Sequence, residues 1–131
     1  VYISLGEIDA ENTTNSNKNL PLLAPVAGKL LKVFVRTTAD TSGVNLTFKL
    51  YTRTVSQSTN GAAAVVGAQT SAGPTNKTMV TYDFTTGLDS GVGSETNAIA
   101  AGDKVLLSVE SSGATSNQNI FISCLWEWDL S

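Results

Sequence analysis

Six carboxylates are the residues whose type could do chemistry: Glu7, Asp9, Asp83, Glu110, Glu127 and Asp129. Two acids at the right separation suffice to hydrolyse a glycosidic bond, one as acid and one as base or nucleophile. Glu127 and Asp129 are two residues apart in an apolar run, so a strand would put them on one face, roughly 7 Å apart. Nothing else assembles around them. The chain holds no histidine, which removes the commonest general base and metal ligand. No Gly-x-Ser-x-Gly elbow occurs, and Gly91-Val92-Gly93 lacks the strand-before, helix-after setting of a phosphate loop. Cys124, the single cysteine, excludes an intrachain disulfide framework, and its apolar neighbours mark it as a core residue. The chain reads as non-enzymatic, with neither cofactor nor metal expected.

Two other candidates are weighed the same way. Glu7 to Asn12 gathers oxygens that would suit calcium, but without EF-hand spacing it reads as a solvated acidic loop. Tyr2 and Tyr51 could stack on sugar, although a lone aromatic on a polar strand face more often packs across strands. Sequons at Asn12, Asn45 and Asn76 are expected by chance in a chain this rich in Asn and Thr.

The elements that must position these residues are strands. Only 15 % of the 131 residues are charged, and Thr, Ser, Asn and Gly take the place of the Lys and Glu of a helical protein. The net charge of −3 and the scattered Lys and Arg exclude nucleic acid as an expected partner. No apolar run of about eighteen residues and no signal-peptide pattern is found, so neither a membrane span nor a membrane partner is expected.

Period-two alternation marks strands over Lys29–Thr38, Val44–Arg53, Thr78–Phe84 and Lys104–Glu110, and a largely apolar run marks a last strand over Asn119–Asp129. Shorter strands are expected at Val1–Leu5, Leu22–Ala24 and Ala63–Thr70, and one helical turn at Ser94–Ala100 with Ser94 as its cap. About eight short strands joined by polar loops predict an all-β, antiparallel β-sandwich that is jelly-roll-like. The chain divides into an N-terminal strand and attachment loop, residues 1–23, and a sandwich knob, residues 24–131, forming a single domain overall.

The last strand breaks the usual pattern. Ile120, Ile122, Cys124, Trp126 and Trp128 share one face, yet Phe121 and Leu125 place apolar groups on the other. A sandwich has one core, so the second apolar face predicts a contact between subunits. Counted strictly, the alternation of Lys29–Thr38 turns Leu31, Val33 and Val35 inward and Leu30 and Phe34 outward, and Leu106 also falls on an outward face. These five, Leu30, Phe34, Leu106, Phe121 and Leu125, are the expected oligomer interface.

Four segments together carry a resemblance: Ala24-Pro25-Val26-Ala27-Gly28-Lys29-Leu30-Leu31-Lys32-Val33, then Val44 to Leu50, then Ala101-Gly102-Asp103-Lys104-Val105-Leu106-Leu107-Ser108-Val109, and last Cys124-Leu125-Trp126-Glu127-Trp128-Asp129. Over residues 24 to 129 the chain resembles the C-terminal β domains of structural proteins of tailed bacteriophages. Its Ala-Gly-Asp strand is also similar to one in trimeric complement- and tumour-necrosis-factor-like jelly rolls. The resemblance implies a homotrimeric knob on the virion surface, and brings no catalytic residue with it. A place on the capsid exterior, as a decoration protein or head fibre, is expected, with the major capsid protein or another virion protein as partner and the loop Glu11 to Asn19 as a strap. The alternative is a tail-fibre tip that recognises a host-surface glycan. A third, a secreted adhesin domain, would need tethering signals that this sequence does not show.

Overall fold

In the computed structural model the described residues are 2–3, 22–53, 64–115 and 119–131. They contain nine strands and no helix: β1 (Tyr2–Ile3), β2 (Leu22–Leu23), β3 (Gly28–Thr37), β4 (Asn45–Arg53), β5 (Ala64–Ala72), β6 (Met79–Asp83), β7 (Ala98–Ile99), β8 (Lys104–Ser111) and β9 (Ile120–Trp128). Every pairing is antiparallel. One sheet has the order β1-β9-β3-β6, with β7 also on β3, and the other has the order β2-β8-β4-β5. The expected all-β antiparallel sandwich is the observed architecture.

The core is where the alternating apolar faces meet. Leu30, Val33 and Val35 of β3, Cys124 and Trp126 of β9 and Tyr82 of β6 pack against Leu46, Phe48 and Leu50 of β4, Val66 of β5 and Val105 of β8. Phe48 and Tyr82 lie ring to ring at its centre, with centroids 4.7 Å apart and planes tilted by 59°. Tilted pairs of this kind add about 1 kcal/mol beyond the area that they bury. The Tyr82 hydroxyl reaches the carbonyls of Ser71 and Ala72 on β5, joining the two sheets at one edge.

Burial pushes the Tyr82 phenol up to about 12, because the charged form would lose its water. A folded-state value above the ordinary 10 means that its contribution is intact below pH 10 and is lost as pH rises toward 12. Over that window stability should fall by about 1.4 kcal/mol per pH unit for this one proton. Denaturant titrations of wild type and Tyr82→Phe at several alkaline pH values check it: the variant should lose this one-proton share of the slope and keep the share of the buried Cys124 thiol.

Two departures from the expected elements bear on the site. The first is a β-bulge between Leu30 and Lys32, where β3 slips register against β9. An extra residue in one strand turns the side chains on its two sides out of phase. Leu30 and Val33 therefore both point into the core, and Leu31, expected inward, is half-buried at the bulge. The assignment of Leu30 to an outward, subunit-contacting face is corrected by this: the side chain is fully buried within its own sandwich. The bulged backbone stays bonded, with Phe84 N donating to Leu31 O, Leu30 N to Asn97 O and Asn97 Nδ2 to Leu30 O.

The second is the helical turn expected at Ser94–Ala100, which does not form. Gly93 (φ 65°) and Glu95 (φ 51°) adopt left-handed backbone, which an α-helix does not admit, and Ala98–Ile99 pairs instead with Gly28–Lys29 as β7. The loop of residues 84–97 crosses from β6 to the edge of β5. There Asp89 N donates to Ala68 O, and Ser94 N and Thr96 N donate to Val66 O. A bare strand edge is a template for unwanted pairing, and this loop covers that of β5.

At the close of the chain Trp126 is buried and Trp128 half-buried, their rings stacked with centroids 5.6 Å apart. Trp128 lies over Gly28, where a Cβ would come within 2.7 Å of its ring and 2.5 Å of Glu127 O. Only glycine leaves room for the indole at that position.

Candidate functional site

The carboxylates do not converge. Glu7 and Asp9 lie outside the described residues, as do the Glu7 to Asn12 oxygen cluster and the strap Glu11 to Asn19. Asp83 Oδ1 accepts hydrogen bonds from the backbone N and Oγ1 of Thr85, which hold its carboxyl below the usual range, with Lys32 adding to the effect. Asp129 makes the same local turn with Ser131, with the same downward shift. Glu110 pairs with Lys49 at 2.8 Å on the outer face of the β2-β8-β4-β5 sheet. Glu127 is exposed on the outer face of the other sheet, opposite Lys29. Among the described residues no three Asp, Glu, Cys or His side chains gather as metal ligands would, and no helix is long and apolar enough to cross a membrane.

Cys124 sits between the sheets, and burial pushes its thiol up to about 12. Reaction of thiols proceeds through the thiolate, so the native protein should be inert to a thiol-specific reagent at pH 8. The full one equivalent should appear only after denaturant is added. Prompt labelling of the folded protein would contradict the core placement.

What the structure does gather is a mixed outer face on β9, β3 and β6, where Phe34, Met79, Phe121 and Leu125 stand among polar side chains. Antiparallel register places three rows of side chains across β9, β3 and β6: Leu125–Lys32–Asp83, Ser123–Phe34–Thr81 and Phe121–Arg36–Met79. Of the five residues expected at a subunit contact, Phe34, Phe121 and Leu125 thus share one face on adjacent strands. Leu106 belongs to the outer face of the opposite sheet, beside Tyr51, so it cannot join the same patch. Leu30 is in the core.

Met79 was not among the expected contact residues, yet it is 64 % exposed at the edge of this face, and Phe121 is 58 % exposed. The signal was present in the alternation, since Met79 falls opposite Val80 and Tyr82, but a thioether at a strand start draws less notice than an aromatic. At the end of the sheet where β3 finishes and β9 begins, an open groove of about 400 Å³ runs between Phe34, Arg36, Met79, Ile120, Phe121 and Ser123. Its polar head is Arg36, exposed, with an apolar side chain on each side of it in the row. Aromatic residues, Met and Arg are the types enriched where proteins touch, because they combine large apolar area with a directed polar contact.

No known protein family, no curated protein and no solved structure showed a significant match to this chain. Its site is therefore defined by its own geometry: a sheet face where apolar side chains flank Arg36, with no converging catalytic groups among the described residues.

Proposed function

We propose that this chain is a structural protein of the virion surface, a capsid decoration or head-fibre knob of a tailed bacteriophage, working as an assembly of identical copies without enzymatic activity. The observation that carries the reading is the set of Phe34, Met79, Phe121 and Leu125 on the outer face of β9, β3 and β6, with Phe121 and Met79 more than half exposed. Large exposed apolar side chains on one sheet face, here flanking Arg36 of the strand between them, favour a surface that is covered in use. A folded module that offers such a face, and whose Asp83 and Asp129 serve its own turns, is built to be assembled.

The strand order supports the same reading. The chain passes β1, β2, β3, β4 from sheet to sheet in turn, and β8 and β9 return between their partners to give β1-β9-β3-β6 facing β2-β8-β4-β5. A five-stranded and a four-stranded sheet interleaved in this way support the jelly-roll-like reading, an architecture found in viral capsid domains. The segments that carry the resemblance to phage structural domains fall on framework elements of this arrangement. Ala24 to Val33 leads into β3, Ala101 to Val109 is the turn and strand of β8, and Cys124 to Asp129 ends β9.

The test is cryo-electron microscopy of whole particles from the source, with this chain located in the map. Trimeric density on the capsid lattice is expected. Density at the tail tip would replace capsid decoration by receptor binding, and absence from every particle would overturn the virion reading.

A further inference from the structure

We propose that copies of this chain join head to tail: Leu130 of one copy, which follows Glu127 and Asp129, seats in the groove between Phe121, Met79 and Arg36 of the next. The inference deepens the proposed function and rests on its claim that identical copies assemble. A trimer with three-fold symmetry cannot be built by one patch meeting itself. Each contact in a ring is heterologous and needs two different, complementary surfaces on every copy. The apolar groove is one such surface, so a second must exist elsewhere on the chain.

Leu130 is the best match on the molecule. It is 84 % exposed, the most exposed of the large apolar side chains among the described residues. It is also held in place: Asp129 N donates to Ala27 O at 2.8 Å, and Asp129 Oδ1 accepts from the N and Oγ of Ser131 on its far side. An apolar group presented on a closed turn loses little freedom when it is bound.

Charge agrees with shape. The groove carries the exposed guanidinium of Arg36, whose two cross-strand neighbours are Met79 and Phe121. The Leu130 segment carries the exposed carboxylates of Glu127 and Asp129. Complementary charges around an apolar anchor set the register of a contact and steer its formation.

The two surfaces cannot satisfy each other within one copy. Ile120 pairs with Thr37 at the groove end of β9, and Trp128 pairs with Gly28 at the other. Eight residue steps of strand separate them, about 27 Å. A second copy must supply the missing half.

Light scattering of wild type, Leu130→Asp and Phe121→Glu, alone and mixed over the micromolar range, tests the contact. Circular dichroism confirms the fold of each, and Met79→Glu replaces Phe121→Glu if that variant does not fold. Wild type should associate, and each single variant should associate at least about 30-fold more weakly, the effect of removing one interface anchor. An equal mixture of Leu130→Asp with a groove variant should form a one-to-one dimer, because one brings an intact groove and the other an intact Leu130. If wild type associates while the mixture stays monomeric, or if either variant associates like wild type, the head-to-tail contact is overturned and assembly through another surface stands. A wild type that is monomeric throughout overturns both the contact and the assembly reading.

Discussion

Phe48→Ala should lower the stability of the sandwich by about 4 kcal/mol, the usual cost of emptying a fully buried aromatic site. Phe48 is wholly buried and is the ring from β4 that meets Tyr82 from β6 across the two sheets. Its removal forfeits the transfer of a large apolar group and leaves a cavity where backbone strands on both sides prevent collapse. Single domains are stable by only about 5–15 kcal/mol, so this one change would consume a large share of the total. With a slope of about 1.5 kcal/mol per molar in urea, the unfolding midpoint should move down by about 2 to 3 M. Phe48→Leu, which keeps most of the volume, should move it by less than half as much. A Phe48→Ala shift below about 1 kcal/mol would mean that the two sheets do not pack through this ring.

Gly67→Ala is expected to cost about 3 kcal/mol although it adds a single methyl group. Gly67 is buried in β5, and a Cβ there would run into the carbonyl oxygen of Thr96, with the Thr96 carbonyl carbon and Leu88 Cδ1 each at 3.3 Å. The obstacle is backbone, so it cannot rotate away as a side chain tip would. The loop of residues 84–97 would have to lift from the edge of β5, breaking the bonds of Ser94 and Thr96 to Val66 O. Overpacking of this kind typically costs 1–3 kcal/mol, and here lost hydrogen bonds add to it. Amide hydrogen exchange distinguishes the mechanism: protection should fall at Asp89, Ser94 and Thr96 before it falls in β3 or β9. Uniform loss of protection would show that the loop is not the element displaced.

Most of the sandwich was legible because its strands are half-buried and antiparallel, which writes period two directly into side-chain type. Val44 to Arg53 is the clearest instance, with Leu46, Phe48 and Leu50 inward and Thr47 and Lys49 outward as counted. Val80, Tyr82 and Phe84 share the inward face of β6 and its continuation in the same way. The count failed where the backbone breaks phase. Nothing in Gly28-Lys29-Leu30-Leu31-Lys32-Val33 marks Leu31 as the bulged residue, because adjacent leucines satisfy either phase. The bulge is stabilised by partners more than fifty residues away, at Phe84 and Asn97, which no local pattern can reveal.

The same limit explains the candidate site. Phe121 and Leu125 were readable as a second apolar face of one strand, and Phe34 joined them by alternation. That the three are neighbours depends on β9 lying beside β3, a pairing between the two ends of the chain. Met79 enters only through the pairing of β3 with β6, and Leu106 leaves because β8 belongs to the other sheet. At Ser94–Ala100 a serine before a mixed run looked like a helix start, whereas the left-handed Glu95 and the free side of β3 beyond the bulge drew Ala98–Ile99 into a sheet.

The stacked indoles of Trp126 and Trp128 make this protein its own optical instrument. They are the only two tryptophans in the chain, and both belong to β9. Emission excited beyond the tyrosine absorption band therefore reports on a single strand. Rings 5.6 Å apart and 18° from parallel will also couple electronically, giving a paired circular-dichroism signal that vanishes once β9 lets Trp128 swing off Gly28. Phe121 heads the same strand at the groove end, and Leu130 follows it at the other. A change at either end can thus be followed in unlabelled protein, in real time, by light alone.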